Sequence, residues 1–179
     1  MTLRRAHRLN AALLGVFLLL HLGNHLALLA GIEAHRALQA LLRPLYRPAP
    51  VETLLIALFA LQIGLGLALA RRRGMGRGWA LAQTASGLYL ALFLVQHVPA
   101  VLSARARTPP IDTDANFAAS VLQGWQGLYF APYYALAVAA LATHLAAALR
   151  FRGLRLPWLP WLGLGLGLII VAGLRGAFG

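Results

Sequence analysis

Hydrophobic residues run along the chain in five long blocks that are separated by polar segments. Each block has about twenty residues, which as a helix rising 1.5 Å per residue crosses the roughly 30 Å hydrocarbon layer of a bilayer. The pattern predicts an all-α fold in which five transmembrane helices form a single domain. The predicted spans are residues 9–30, 51–70, 79–102, 128–149 and 157–178.

The polar connections are of two kinds. Segments 71–77 and 150–155 are short and basic, whereas the longer segments 31–50 and 103–127 and their borders hold the four acidic residues. With the N-terminus in the cytoplasm, ten arginines and no acid lie inside, and six arginines and all four acids lie outside. The positive-inside rule favours this orientation, which places the C-terminus outside.

Composition supports a membrane chain. Of the 179 residues, 60% are hydrophobic and only 11% are charged, too few to cover a soluble domain. The net charge of +12 comes from arginines at the ends of the predicted helices, which favours membrane topology over nucleic-acid binding. The absence of cysteine excludes c-type haem attachment, iron–sulfur clusters, thiolate zinc and disulfides on this chain.

Two further segments have a predicted role. The first apolar block is long enough to span and lacks a small-residue cleavage site, so it is not expected to be a cleaved signal peptide. Segment 33–42 has apolar residues at helical spacing, which predicts an amphipathic helix on the outer surface. We expect the prolines Pro44, Pro48 and Pro50 to end that helix before the second span.

Three histidines lie inside predicted spans, where an ionisable side chain is costly and commonly functional. Imidazole is a usual axial ligand of haem iron, and a haem held by two histidines needs them on different helices at one depth. His21 and His97 meet this condition in the outer half, with His25 as an alternate ligand four residues after His21. His144 lies in the inner half, where the nearest candidate partner is Gln62, a poor iron ligand.

Other roles stay open for these histidines. The outer pair can instead form hydrogen bonds to the backbone or to Gln96, and His144 can bond a neighbouring helix. His7 is expected at the inner interface beside three arginines, either solvated or facing a haem propionate. His35 is expected on the surface of the first outer loop.

The chain resembles a known family, the single-chain cytochrome b membrane anchors of succinate:quinone oxidoreductases (succinate dehydrogenases and fumarate reductases). The resemblance extends along nearly the whole chain, and five spans with an inside N-terminus are also that family's plan. It is carried by RAHRL at 5–9, FLLLHLGNH at 17–25, Glu52, QTASG at 83–87, LVQHV at 94–98, Asn116-Phe117 and ATHL at 142–145.

The resemblance implies two stacked haems b with one histidine from each of the first four spans. The outer haem would use His21 and His97. The inner haem would use His144 and the position that Gln62 occupies here, followed by a matching Gly66. One inner ligand is therefore missing, so we expect one haem, with a second possible. Thr84 also replaces an arginine of the family's pattern.

The resemblance further implies partners and a location. A flavoprotein subunit would handle the dicarboxylate, and an iron–sulfur subunit would pass electrons to a membrane quinone in the bacterial cytoplasmic membrane. No dicarboxylate chemistry is expected on this chain. The inner arginines suit docking of these subunits, and also anionic lipid. Candidate quinone or proton-handling residues are Glu33 at the outer end and His7 and Ser86 at the inner end.

Two other functions are compatible with the pattern. One is a haem-free structural anchor of the same complex, and the other is an unrelated cytochrome b-like membrane protein or a small transporter. A transporter usually has charged residues or broken helices at mid-membrane. No aspartate, glutamate or arginine lies near the centre of a predicted span, which counts against the transporter.

Overall fold

The computed structural model describes residues 2–176. They form seven α-helices and two short 3₁₀ turns, Ala27–Ala30 and Gly124–Gln126, and this described part of the chain contains no strand. The predicted all-α fold is confirmed. The helices are α1 Leu3–Leu26, α2 Ile32–Tyr46, α3 Ala49–Arg73, α4 Trp79–Arg105, α5 Ala115–Ser120, α6 Gly127–Arg150 and α7 Leu159–Leu174.

Four helical segments are long and apolar enough to cross a membrane: Leu3–Ala30, Ala49–Arg73, Trp79–Arg105 and Gly124–Arg150. They correspond to the first four predicted spans. The fifth predicted span contains the shorter apolar helix Leu159–Leu174, which has 16 residues. The predicted end of that span, Phe178, and the C-terminus lie outside the described residues.

Helix α1 begins six residues before the first apolar block. The Thr2 side chain caps it by accepting a hydrogen bond of 3.3 Å from the backbone nitrogen of Arg5. A side-chain cap satisfies one of the free amides at a helix start, so the helix can begin among polar residues. His7 consequently lies in the second turn of α1 rather than before a span.

The long helices form two layers. One layer holds α1 and α3, and the other holds α4, α6 and α7. Over their described lengths, α1 keeps its Cα atoms more than 8 Å from those of α4 and α6, and α3 keeps the same distance from α6. The layers meet between α3 and α4, and where α1 and its 3₁₀ turn contact α7. Between α1 and the facing helices α4 and α6 only side chains approach each other, and we call this zone the crevice.

Helices α6 and α7 pack closely at two glycines. A Cβ atom added to Gly167 would lie 2.5 Å from the carbonyl oxygen of Ala135, and one added to Gly163 would overlap the Cβ of Ala142. Glycines four residues apart let two membrane helices approach each other at backbone distance. This close approach holds α7 to the second layer.

The predicted amphipathic helix is present as α2, which covers one end of the first layer. Leu42 lies on its buried face. Contrary to expectation, Pro44 does not end this helix, which continues to Tyr46, and Pro48 instead precedes the start of α3. Arg43 pairs with Asp112 of the second long loop at 2.5 Å, and this guanidinium holds the pKa of the Asp112 carboxyl below its usual value.

The opposite end of the bundle carries the basic loops. The guanidinium of Arg73 lies 4.7 Å from the ring centre of Phe151, and that of Arg150 lies 5.3 Å from the ring centre of Trp79. These cation–π contacts join the two short loops. We call this the inner end and the end covered by α2 the outer end, following the expected orientation.

Candidate functional site

All six histidines of the chain lie in two clusters, and each cluster contains histidines from both layers. The outer cluster is His21, His25, His35 and His97. The inner cluster is His7 and His144, together with Gln62 and Ser86. Each cluster contains one pair of imidazoles that faces across the crevice.

In the outer cluster, the ring centres of His21 on α1 and His97 on α4 are 6.3 Å apart, with 68° between the ring planes. Two imidazoles bound to opposite sides of one metal are separated by two bonds of about 2 Å and two half-rings, or about 6 Å between ring centres. The structure thus brings together the pair that depth alone predicted, with a ring-centre separation that is compatible with a shared metal.

The same local arrangement orients both rings. Phe17 stacks on His21 with ring centres 5.5 Å apart, and Phe93 stacks on His97 at 4.9 Å, each with 16° between the planes. Both pairs are four residues apart on a helix, the spacing at which side chains are neighbours. Tyr134 of α6 adds an edge-on contact to His97 at 6.2 Å. Each imidazole is held by packing, which leaves its nitrogens free.

No hydrogen bond from residues 2–176 reaches a ring nitrogen of His21 or His97. The predicted alternative partner, Gln96, instead accepts a hydrogen bond of 2.9 Å from the hydroxyl of Tyr129. Both side chains are half-buried, and their unpartnered ring nitrogens are therefore available to bind a ligand.

His25 and His35 continue the outer cluster towards the cap. The ring of His25 lies 4.8 Å from that of His21 and 5.7 Å from that of His35, and its Nδ1 is buried without a partner. The prediction that His35 lies on the surface is wrong, because only 1% of it is exposed. Helix α2 turns this residue inward, where its Nε2 lies 3.1 Å from Nδ2 of Asn24, and burial lowers its pKa.

In the inner cluster, His144 of α6 is fixed against α4. Its Nδ1 lies 3.0 Å from the carbonyl oxygen of Gln83 and 3.3 Å from the Ser86 hydroxyl. A Cβ atom at Gly87 would come within 3.0 Å of the His144 ring. Glycine at this position therefore makes room for the imidazole between the two helices.

Gln62 does not bond His144. Its Nε2 lies 3.3 Å from Nε2 of His7, and its Oε1 accepts a hydrogen bond of 2.7 Å from Asn10. The His7 ring centre is 6.2 Å from that of His144. His7, which was expected to be solvated or to face a haem propionate, is half-buried, and its Nδ1 is fully buried.

The remaining candidates are already engaged. Ser86 is buried and donates a hydrogen bond of 2.6 Å to the carbonyl oxygen of Ala82. Glu33 is exposed and pairs with Arg36 at 2.6 Å. Glu52, which opens α3, forms an ion pair with Arg105. Of these three side chains, Ser86 alone lies within hydrogen-bond distance of a crevice histidine, with its hydroxyl 3.3 Å from Nδ1 of His144, in the part of the chain that the structure describes.

Sequence reasoning missed Asn10 and Asn24. Both are buried, and they bond Gln62 and His35 respectively. Their position inside the first apolar block could have indicated them, since an amide inside an apolar span is costly unless it has a partner.

The donor set fits a tetrapyrrole better than a bare ion. A group of three or more His, Cys, Asp or Glu side chains that could hold a metal ion is not found in the part of the chain that the structure describes. Haem supplies four nitrogens itself, so a pair of axial imidazoles is sufficient. The outer pair therefore has the chemistry and the spacing to hold haem b.

No protein-family model, curated protein or solved structure matches the chain. The assignment of a function therefore rests on the residues and their arrangement.

Proposed function

We propose that this chain is the haem b-containing membrane anchor of a succinate:quinone oxidoreductase, a succinate dehydrogenase or fumarate reductase of the bacterial cytoplasmic membrane. It would pass electrons between an iron–sulfur subunit and a membrane quinone. One observation carries the proposal. The ring centres of His21 and His97 lie 6.3 Å apart, between two helices whose backbones stay apart. Neither imidazole has a hydrogen-bond partner in residues 2–176. The sequence resemblance names the family.

The proposal includes five spans, with α7 as the last. The apolar helix Leu159–Leu174 packs along α6 at Gly163 and Gly167, so it runs beside a spanning helix rather than away from the bundle. The ten arginines of the N-terminus and the two basic loops face the cytoplasm in this arrangement, and the capped outer end faces the other side.

Haem, when bound, supplies a one-electron relay within the bilayer. The chain's own residues would hold it. His21 and His97 would bind it through their imidazole nitrogens, and Phe17 and Phe93 fix the orientation of those rings. Axial-ligand identity, nearby charge and burial are the means by which the protein sets the haem potential.

The soluble partners would dock at the inner end. Exposed arginines there form a basic surface that suits a flavoprotein and iron–sulfur pair, and it also suits anionic lipid. The quinone carbonyls need hydrogen-bond donors. Ser86 and Glu33 remain candidates for quinone and proton handling, and each would have to exchange its present partner to do so.

The decisive experiment measures haem in the purified chain and its histidine variants. We expect b-type bands in the reduced-minus-oxidised spectrum, and we expect His21→Ala and His97→Ala each to lose the same haem. His25→Ala is the matched control, because it removes an imidazole one turn from His21 and should retain that haem. A wild-type chain without b-type bands would support the haem-free anchor. Loss of haem in His25→Ala but not in His21→Ala would reverse the ligand choice.

Copurification separates this proposal from an unrelated cytochrome or transporter. The complex isolated from membranes should contain flavin and iron in addition to haem, and succinate should reduce that haem. If the isolated complex contains haem but neither flavin nor succinate-reducible absorbance, the anchor assignment fails although the haem site stands.

A further inference from the structure

The inner end contains a second pair of imidazoles with nearly the same geometry as the outer pair. The ring centres of His7 and His144 are 6.2 Å apart with 74° between the planes, compared with 6.3 Å and 68° for the outer pair. His7 belongs to α1 and His144 to α6, two helices whose Cα atoms stay more than 8 Å apart over their described lengths. The pair spans the same crevice at its other end.

The hydrogen bonds of His144 leave one nitrogen ready to bind a metal. Its Nδ1 faces the carbonyl oxygen of Gln83 at 3.0 Å, and a carbonyl can only accept, so Nδ1 carries the proton. The lone pair then lies on Nε2. A histidine that ligates a metal commonly donates its other nitrogen to a backbone carbonyl in this way, which fixes the tautomer.

The hydrogen bonds around His7 lead to the same tautomer. The Asn10 amide nitrogen donates to the carbonyl oxygen of Leu58 at 2.9 Å and to Oε1 of Gln62 at 2.7 Å. Gln62 must therefore present its NH₂ group to Nε2 of His7, which accepts with its lone pair. The Gln62 amide therefore donates to the lone pair of His7.

Glycines leave room at both rings. A Cβ at Gly66 of α3 would lie 3.5 Å from Cε1 of His7, and one at Gly87 of α4 would lie 3.0 Å from Cε1 of His144. A larger side chain at either position would press on an imidazole. Each ring thus occupies the space that the missing side chain of the neighbouring helix leaves.

The position of His7 on α1 repeats that of His21. Fourteen residues separate them, which is about four helical turns and about 21 Å along the axis. Both histidines consequently lie on nearly the same face of α1, the one that borders the crevice.

We propose that His7 and His144 are the axial ligands of a second haem b at the inner end, with His7 of the first span replacing the ligand that is missing at Gln62. This inference rests on the proposed function, since it assumes that the chain binds haem. It predicts two haems per chain and an inner ligand pair from α1 and α6.

The test counts haem per chain by its pyridine haemochrome in detergent-purified protein. Wild type should bind two. The single variants His7→Ala and His144→Ala should each bind one, and so should the double variant, because both histidines serve one site. His97→Ala should also bind one, and His7→Ala combined with His97→Ala should bind none. The haem that remains in His7→Ala also reports that the bundle has folded.

Two further variants separate ligation from a structural role. His7→Met should retain two haems and raise the potential of one of them, because a methionine ligand raises haem potentials relative to histidine. His7→Ala combined with Gln62→His should recover the second haem, since the Gln62 side chain reaches the His7 nitrogen. If His7→Ala loses both haems, His7→Met decides: two haems with one raised potential support the inference, and one haem or two unchanged potentials overturn it.

The failure of this inference differs from the failure of the proposed function. One haem in wild type that disappears in His97→Ala and persists in His7→Ala would overturn the inner site and leave the outer haem standing. Two haems in His7→Ala would also overturn it. A wild-type chain without haem would overturn the proposed function itself.

Discussion

At the scale of single residues, the environment of each ring nitrogen determines what a histidine can do. His144 donates from Nδ1 to a backbone carbonyl and keeps a lone pair on Nε2. The nitrogens of His21 and His97 meet no protein partner in residues 2–176. His35 instead lies fully buried beside Asn24, where a positive charge would be poorly solvated. The six imidazoles therefore divide into candidate ligands and a structural residue.

Helix α2 should loosen from the outer end in acid because of His35. Burial lowers its pKa below the ordinary value of 6.5, Arg36 and Arg43 add to this effect, and Asp114 opposes it. The detached helix then binds a proton more readily than the docked helix. The docked state of α2 therefore has its full stability above pH 6.5. It loses stability as the pH falls from 6.5 towards the lower pKa that His35 has in the docked state.

Amide hydrogen exchange checks this prediction. The amides of α2 in wild type should exchange faster relative to those of α6 when the pH falls from about 7.5 to about 5.5, after correction for intrinsic rates. The matched variant His35→Gln keeps an acceptor for Asn24 and should show no such change. An equal acid response in both proteins would show that another group controls the docking of α2.

The proximity of His21 and His97 was accessible from sequence, whereas that of His7 and His144 was not. Depth along the helices was sufficient to match His21 with His97. The apolar block that set the first span starts at Leu9, so His7 appeared to be interfacial. The Thr2 cap extends α1 backwards and takes His7 into the bundle. Tautomers and partners such as Gln62 and Asn10 depend on packing between helices, which one sequence does not show.

At the scale of elements, the long helices followed from their apolar length and α2 from its apolar periodicity, whereas the short helix α5 was not predicted. Four of the long predicted segments are helices extended by a few residues at one or both ends. Pro44 is the clearest failure. A proline inside a helix removes one hydrogen bond and usually breaks the helix, yet α2 continues past it. Contacts between Arg43 and Asp112 and between Arg47 and Thr113 hold this last turn.

The α6–α7 contact should be sensitive to a single methyl group. Gly167→Ala would place its Cβ 2.5 Å from the carbonyl oxygen of Ala135, so the helices must separate. We expect a loss of about 1–3 kcal/mol in the free energy of unfolding, the usual cost of overpacking. Thermal or denaturant unfolding in detergent, followed by circular dichroism, measures it.

Gly165→Ala is the matched control on the same helix. A Cβ atom there meets nothing within 4 Å in the described part of the chain, and alanine is the better helix former. This variant should be as stable as wild type or slightly more stable. Equal destabilisation by both substitutions would mean that helix propensity, and not the contact with α6, explains the loss.

At the scale of the whole molecule, the two layers and the crevice between them determine which helices can share a ligand. The family resemblance predicts that the first and third spans share one haem and the second and fourth share another. The structure pairs α1 with α4 at the outer end, as expected, and α1 with α6 at the inner end. Under the proposed function, a ligand missing on α3 would be supplied from α1, because both helices border the same crevice.

The proposed orientation can be tested by cysteine labelling, since the natural chain contains no cysteine. Met75 lies in the exposed loop between α3 and α4, and Ala106 lies exposed just after α4. A membrane-impermeant maleimide should label Ala106→Cys in right-side-out vesicles and Met75→Cys only in inverted vesicles. The reverse pattern would place the N-terminus outside. Labelling of both positions from one side would show that α4 does not cross the membrane.

The four-turn separation of His7 and His21 has a consequence for an energised membrane. About 21 Å along α1 is roughly two thirds of a 30 Å hydrocarbon layer, so an electron that moves between the two levels crosses a similar share of the membrane voltage. A full crossing changes the energy of one charge by about 2.3 kcal/mol per 100 mV, and this partial crossing by about 1.5 kcal/mol. With a redox centre at each level, the distribution of electrons between the two ends would shift about tenfold for each 100 mV, so the bundle would sense the membrane voltage.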